Sequence, residues 1–246
     1  MTIITSKANN LIKNTKKLLQ KKHRKASYLI EGWHLFEEAR QAGAVFRHVF
    51  VLEEMAERVG DLDCVVLVSA EVLKELTDAK TPQGIVAEVA LSEEVLPEKF
   101  DGKYLILEDV QDPGNVGTMI RTADAAGFDG VFLSKKSADI YNDKTLRSMQ
   151  GSHFHLPIWR VDVLELLGRF QAAGHPVLAT TLSKTSVDYK SLANYDSFAL
   201  VMGNEGQGIS AEMASQADQL VHISMPGQAE SLNVAVAAGI LMFSLL

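Results

Sequence analysis

Residues 104–128 read YLILEDVQDPGNVGTMIRTADAAGF. The four apolar residues at the start suit a strand buried on both faces. Asp112-Pro113-Gly114 then turns the chain, because proline sets φ and glycine accepts either sign. Asn115 fits the N-cap of a helix, and small and apolar residues follow at helical spacing. Val116, Met119, Ile120, Ala123, Ala125 and Ala126 make most of that helix look buried, which leaves Arg121 unexplained. A buried guanidinium without a partner is costly, so Arg121 must pair with a carboxylate or face a cleft.

The strand-turn-helix pattern continues outward in both directions. Further strands read GVFLS from Gly130, LPIWRV from Leu156, PVLATTL from Pro176, FALVMG from Phe198 and LVHISM from Leu220, with helical patterns between them and SLNVAVAAGILMFSLL at the end. Near-continuous apolar strands alternating with helices imply a mostly parallel sheet covered on both faces. Upstream, SYLIEG, FRHVFVL, CVVLVS and GIVAEVAL alternate with short helical stretches, as in a small α/β unit. The acidic, proline-containing stretch SEEVLPEKFDGK lacks apolar periodicity and suits a linker. The expected organisation is residues 1–92 as a basic segment plus the small unit, 93–103 as linker and 104–246 as the larger unit.

A chain of 246 residues with 47% apolar content can hold two modest cores. Its longest apolar run, residues 234–243, is about half a bilayer span, and the N-terminus lacks an apolar signal core, so a cytosolic protein is expected. The single Cys64 excludes an intrachain disulfide and a cysteine-based zinc site, and it reads as a structural thiol; no metal site is expected. A net charge of −7 argues against a nucleic-acid partner, but its distribution argues the other way. Lys7, Lys13, Lys16, Lys17, Lys21, Lys22, Arg24 and Lys25 all precede the first acid, Glu31. Leu11, Ile12, Leu18 and Leu19 interleave them at near-helical spacing, which favours an anchored helix with a basic outer face over a solvated tail.

An α/β sheet of this kind raises the prior for a nucleotide or nucleoside ligand, but the site must choose it. No Walker A pattern is present, and no G-x-G-x-x-G follows the strand at Tyr104, which removes most support for a dinucleotide reductase. Three stretches remain. The first is DPGNVGTMIR with Asn115 and Arg121. The second is FALVMGNEGQGIS, where a strand ends at Met202, glycines from Gly203 let backbone approach a ligand, and Glu205 is the sole charge in the loop. Glu205 is either an exposed acid or the partner that directs Arg121. The third is HISMPGQAESLNVAVAAG, with a turn beginning at Met225, Ser231 as a plausible N-cap, and small residues suited to close helix packing within the chain or across a dimer.

These three ordered motifs, with Asn-x5-Arg, Gly-Asn-Glu-Gly and Ser-Leu-Asn, resemble the SpoU (TrmH) family of RNA 2'-O-ribose methyltransferases over about 140 residues. The region before them, with TPQG at residues 81–84 and YLIEGWHLFEEA, more loosely resembles the small substrate-binding domain related to the ribosomal protein L30e fold in rRNA-directed members. The resemblance implies an α/β fold with a C-terminal trefoil-knotted, parallel-sheet catalytic domain, a topology that general chain-threading rules would reject. It implies S-adenosylmethionine as cofactor, held at Gly203, Ile223 and Leu232 with Met202 and Met225 beside them. Asn115, Arg121, Glu205, Ser231 and Asn233 would form the catalytic cluster. It also implies a homodimer through the knotted domain, with RNA as partner, ribosomal in preference to transfer RNA, bound by the N-terminal cations and Arg147. His153 and His155, in the connecting segment LRSMQGSHFHLP, read as local structure rather than catalytic groups. A non-catalytic RNA-binding protein is the rival from another class.

Overall fold

The computed structural model describes residues 2–93 and 95–246. Glu94, within the expected linker, lies outside the described residues. The N-terminal part runs α1 (Asn10–Lys16), β1 (Ser27–Glu31), α2 (Trp33–Gln41), β2 (Phe46–Val51), α3 (Ala56–Val59), β3 (Val65–Leu67), α4 (Ala70–Leu73) and β4 (Ile85–Ala90). Its strands form a four-stranded sheet in the order β1-β4-β2-β3, in which β4 is antiparallel to both neighbours and β2 and β3 are parallel. Period-two alternation sends Tyr28, Ile30, Val49, Val51, Ala87 and Val89 to the face covered by α2. Phe50, Val68 and Val86 go to the opposite face, where Ile12 of α1 and Val72 and Leu73 of α4 close over them.

The basic segment is therefore anchored, as the interleaved apolar residues predicted. Asn9 caps α1 by accepting from the Leu11 amide, and Ile12 is 1% exposed. The segment does meet a carboxylate in space: Glu75 pairs with both Lys7 and Lys16. Arg24 departs from its expected role as an RNA contact. Its side chain is 7% exposed, pairs with Asp139 at 2.8 Å and donates to the Tyr141 carbonyl. A buried charge needs such partners, so Arg24 docks the basic segment onto the C-terminal part.

That part runs β5 (Lys103–Leu107), α5 (Pro113–Ala125), β6 (Gly130–Leu133), α6 (Asp143–Met149), β7 (Ile158–Arg160), α7 (Val163–Ala172), β8 (Val177–Thr180), β9 (Val187–Asp188), β10 (Phe198–Met202), α8 (Ala211–Gln216), β11 (Gln219–His222) and α9 (Val234–Ser244). Only the two-residue β9 has no counterpart in the sequence pattern. The strands form a seven-stranded sheet in the order β7-β6-β5-β10-β8-β11-β9, parallel at every pairing. Leu166, Leu167 and Phe170 of α7 cover one face together with Phe100, which ties the stretch expected as a linker into the core. α5, α6 and α9 cover the other face, whose buried side chains are continuous with those under α2. A Cβ at Gly117 would lie 2.6 Å from the Thr145 carbonyl oxygen, so α5 and α6 cross closer than an alanine permits.

Parallel strands share one carboxyl edge. β5, β8, β10 and β11 all end there, where ligands of open α/β sheets bind.

Candidate active site

At that edge the three sequence motifs meet. α5 begins one turn earlier than Asn115 suggests: Asp112 is the N-cap, accepting from the Asn115 amide at 2.9 Å, and Pro113 is the first helical residue. Asn115 is thereby freed to point outward. Likewise α9 is capped by Asn233 rather than Ser231, because the Asn233 Oδ1 accepts from the amides of Ala235 and Val236. Ser231 lies in the preceding loop, exposed.

The cap orients everything downstream of it. Because its oxygen is committed to the helix N-terminus, Asn233 donates through Nδ2 to the Asn115 Oδ1 at 3.0 Å. Asn115 must then donate through its own Nδ2, and it does so to the Glu205 Oε1 at 3.1 Å. Glu205 also accepts from the amides of Asp112 at 2.9 Å and Gln111 at 3.1 Å. Partial burial pushes the Glu205 pKa up, but these amide and side-chain donors outweigh it and hold the carboxyl below its ordinary value.

Arg121 is not the partner of Glu205. It stands six residues past Asn115 on α5, about 9 Å further along the axis and about 240° round, so the two face different directions. Arg121 is exposed and makes no hydrogen bond or ion pair among the described residues. Its neighbours on the solvent side are Thr118 and Ala125, also exposed. Arg147, expected with the RNA-binding cations, pairs with Asp143 one turn away.

Behind Glu205 lies a cleft of about 220 Å³, and Met202, Gly203, Ile223, Met225 and Leu232 all line it together with Glu205 and Ser231. The glycine loop that walls it is tightly closed. Asn204 and Gly208 exchange backbone hydrogen bonds at 2.9 Å in both directions, and a Cβ at Gly203 would lie 2.2 Å from the Gly208 carbonyl carbon. Gly203 is thus required by the loop itself, beside any approach to a ligand.

Several positioning residues escaped the sequence reading. Glu108, 7% exposed at the end of β5, accepts from the Ser210 amide and hydroxyl at 2.9 and 2.7 Å, tying down the far end of the loop. Asn204 donates to the Asp109 carbonyl and accepts from the amides of Gly206 and Gln207. Asp109 holds a positive φ of 55°, strained for a non-glycine residue and fixed here by Ser134. A carboxylate directly following a fully apolar strand was the available signal for Glu108.

The charged side chains on the cleft are Glu205 and Glu230, joined by His222, with no lysine or arginine among the described lining residues. Apolar Ile223, Leu232, Val234 and Leu241 make up much of the remaining wall. Acidic and apolar walls suit a cation bearing a flat aromatic group and disfavour a polyphosphate. S-adenosylmethionine, with its sulfonium, ammonium and adenine, fits that donor set. Cys64 is half-buried in the N-terminal part, where burial pushes its thiol pKa up and away from reactivity.

Comparison with known proteins agrees with this chemistry. Residues 102–243 match the SpoU rRNA Methylase family, and residues 9–87 match the MRM3-like substrate binding domain. The chain is 42% identical over 250 residues to the 23S rRNA (guanosine(2553)-2'-O)-methyltransferase RlmP of Bacillus subtilis, covering 100% of this chain and 99% of that protein. The AdoMet-bound rRNA methyltransferase of Sinorhizobium meliloti superposes with a TM-score of 0.87 at 34% identity, covering 99% of this chain and 97% of the other. The SpoU methyltransferase AviRb of Streptomyces viridochromogenes, in complex with AdoMet, superposes with a TM-score of 0.85 at 27% identity, covering 96% and 97%.

Proposed function

Because the chain belongs to the SpoU rRNA methylase family, we propose that it transfers a methyl group from S-adenosylmethionine to a ribose 2'-hydroxyl of large-subunit ribosomal RNA. The observation that carries this reading is the hydrogen-bonded run from Asn233 through Asn115 to Glu205 at the mouth of the acidic cleft. The RlmP relative makes a guanosine of 23S rRNA the first candidate target. The identity to a named rRNA enzyme over the whole chain disfavours a tRNA substrate and a non-catalytic role.

Bound in the cleft, the cofactor supplies a methyl group activated by its sulfonium. The residues of the chain have two tasks: alignment, and handling one proton and the charge it leaves. Met202, Gly203, Ile223, Met225 and Leu232 hold the cofactor, and Glu205 and Glu230 favour its positive charge. Asn115, Asn233 and Ser231 present polar groups to the ribose. Arg121, as a guanidinium, stabilises the alkoxide developing on the 2'-oxygen, and the hydroxyl proton passes to solvent water; a guanidinium holds its charge far more readily than it yields a proton.

Arg121 reaches the reaction across a dimer. Exposed on the solvent side of α5 between Thr118 and Ala125, it is turned away from Asn115, and α9 beside it exposes an apolar stripe of Val236, half-buried Ile240 and Phe243. A second copy covering that stripe buries it and offers Arg121 a partner cleft. The same reading includes the family's trefoil knot, supported by the central place of β10 between β5 and β8 and by the return of α9 onto α5. Residues 1–92 bind RNA, 93–103 link, and 104–246 carry the chemistry. The setting is the cytoplasm; no described helix is long and apolar enough to cross a membrane.

Arg121→Ala and Arg121→Lys test the reading in a methyl-transfer assay on 23S rRNA. Both are expected to lose most turnover while retaining cofactor binding by calorimetry. Near-normal turnover in Arg121→Lys would remove the role of the guanidinium fork, and absence of 2'-O-methyl transfer by the unmodified protein would overturn the function.

A further inference from the structure

The two parts of the molecule are tied by polar contacts that catalysis does not use. His155 follows the short helical turn after α6, and each of its ring nitrogens faces a carboxylate oxygen on a different part. Nε2 lies 2.9 Å from Glu38 Oε2 on α2, and Nδ1 lies 3.2 Å from Asp124 Oδ2 on α5. A neutral imidazole has one N–H and one lone pair, so it would set that lone pair against a carboxylate. Carboxylate oxygens against both nitrogens call for the imidazolium, which hydrogen-bonds Asp124 through Nδ1 and forms an ion pair with Glu38 through Nε2.

We propose that His155 is a positioning residue for methyl transfer: as an imidazolium it clamps α2 of the RNA-binding part to α5, the helix that carries Asn115 and Arg121. The proposal rests on the reading of residues 1–92 as the RNA-binding part. Asp124 is three residues past Arg121, so the clamp acts on the turn of α5 that presents the arginine. RNA held by the N-terminal part is thereby held at a set distance and angle from that turn.

The surroundings are consistent with a local, titratable tie. From α2, Glu38 is shared with His34, whose Nδ1 is 3.9 Å from Oε1 and whose Nε2 lies 3.0 Å from the Gln150 carbonyl oxygen. From α5, Asp124 is the facing charge. On its own segment His155 has His153, which sits under Tyr28 with 2.9 Å between Nε2 and the phenolic oxygen and is held neutral by burial, with its pKa lowered to about 3. The hydrogen bond to Asp124, and the charges of Asp124 and Glu38 behind it, outweigh desolvation and raise the His155 pKa above its ordinary 6.5. A raised folded-state pKa means that the clamp is complete below about 6.5 and is lost as pH rises through the folded value. His155 is 46% exposed, so the effect is modest.

The test is steady-state methyl transfer to a 23S rRNA fragment from pH 6 to 9 with the full chain, separating kcat from KM. In the unmodified protein, KM is expected to rise about fivefold across the His155 titration, followed in parallel by NMR of its ring protons. His155→Gln and Glu38→Gln are each expected to show the high KM at every pH, to combine without further loss, and to leave cofactor affinity unchanged. His155→Lys, which keeps the charge, is expected to keep a low KM and to lose the pH dependence. If His155→Gln fails to fold, Glu38→Gln carries the test alone. A KM that stays flat with pH and unchanged in the Gln variants overturns the proposal. If replacing the N-terminal lysines still raises KM, the RNA-binding reading survives that failure; if it does not, the reading fails with the proposal.

Discussion

Replacing Gly203 by alanine places a methyl group 2.2 Å from the Gly208 carbonyl carbon, 2.3 Å from the Ile209 nitrogen and 2.5 Å from the Gly208 oxygen. All three are backbone atoms, so no rotamer change relieves the clash. The loop must open, which breaks the reciprocal Asn204 and Gly208 hydrogen bonds. Overpacking of this kind costs about 1–3 kcal/mol, and two backbone bonds add about 1 kcal/mol each, giving roughly 3–5 kcal/mol against the closed loop. If the closed loop is the form that binds S-adenosylmethionine, affinity falls about 100- to 4000-fold. Two neighbouring glycines calibrate the effect. Gly208 has φ +70° and open space where its Cβ would go, so Gly208→Ala costs about 1 kcal/mol of left-handed strain and about fivefold in affinity. At Gly206 the nearest atom would be 3.7 Å away, and Gly206→Ala should bind within about twofold of the parent. Calorimetric titration with S-adenosylmethionine, with circular dichroism to show that each variant is folded, reads the series directly. Equal affinities for Gly203→Ala and Gly206→Ala would refute the reasoning that the closed loop makes the site.

Other perturbations address charge. Lys13, Lys17, Lys21, Lys22 and Lys25 replaced together by alanine should weaken binding of a 23S rRNA fragment and reduce its log–log salt slope by about 0.7–0.9 for each phosphate left without its lysine; an unchanged slope would show that the segment does not touch RNA. Arg24→Met leaves the half-buried Asp139 without its cation and should cost about 2 kcal/mol of stability, read as a lowered urea midpoint. Glu205, with its pKa lowered from the ordinary 4.5, contributes loop stability that is present above that value and lost as pH falls through the folded one. Cofactor affinity should therefore be flat with respect to Glu205 from about pH 5 upward and weaken only in more acidic solution, a limb that Glu205→Gln removes.

Most of the architecture was legible because burial on two faces, turn chemistry and helical spacing are local properties. The strands from Tyr104 onward, the glycine loop after Met202 and the apolar C-terminal helix all fall where those signals put them. The caps did not. Asp112 and Asn115 are both good N-cap residues, as are Ser231 and Asn233, and a pattern of types cannot choose between neighbours of similar chemistry. Asn115 and Asn233 end up in their roles because each has a partner 90 or 118 residues away in the chain.

The sequence by itself determined the parallel α/β class, the three stretches that converge on the site, and the basic segment with its apolar anchors. Only the tertiary structure decided which charge meets which. Glu205 turned from Arg121 to the amides of the turn before α5, Arg24 left the RNA-facing set for Asp139, and His155 came to rest between two carboxylates. Periodicity tells which face of an element is apolar, because every turn or pleat repeats that choice. The partner of a single charge depends on strand order and on the angular position of one residue on one helix, and neither repeats.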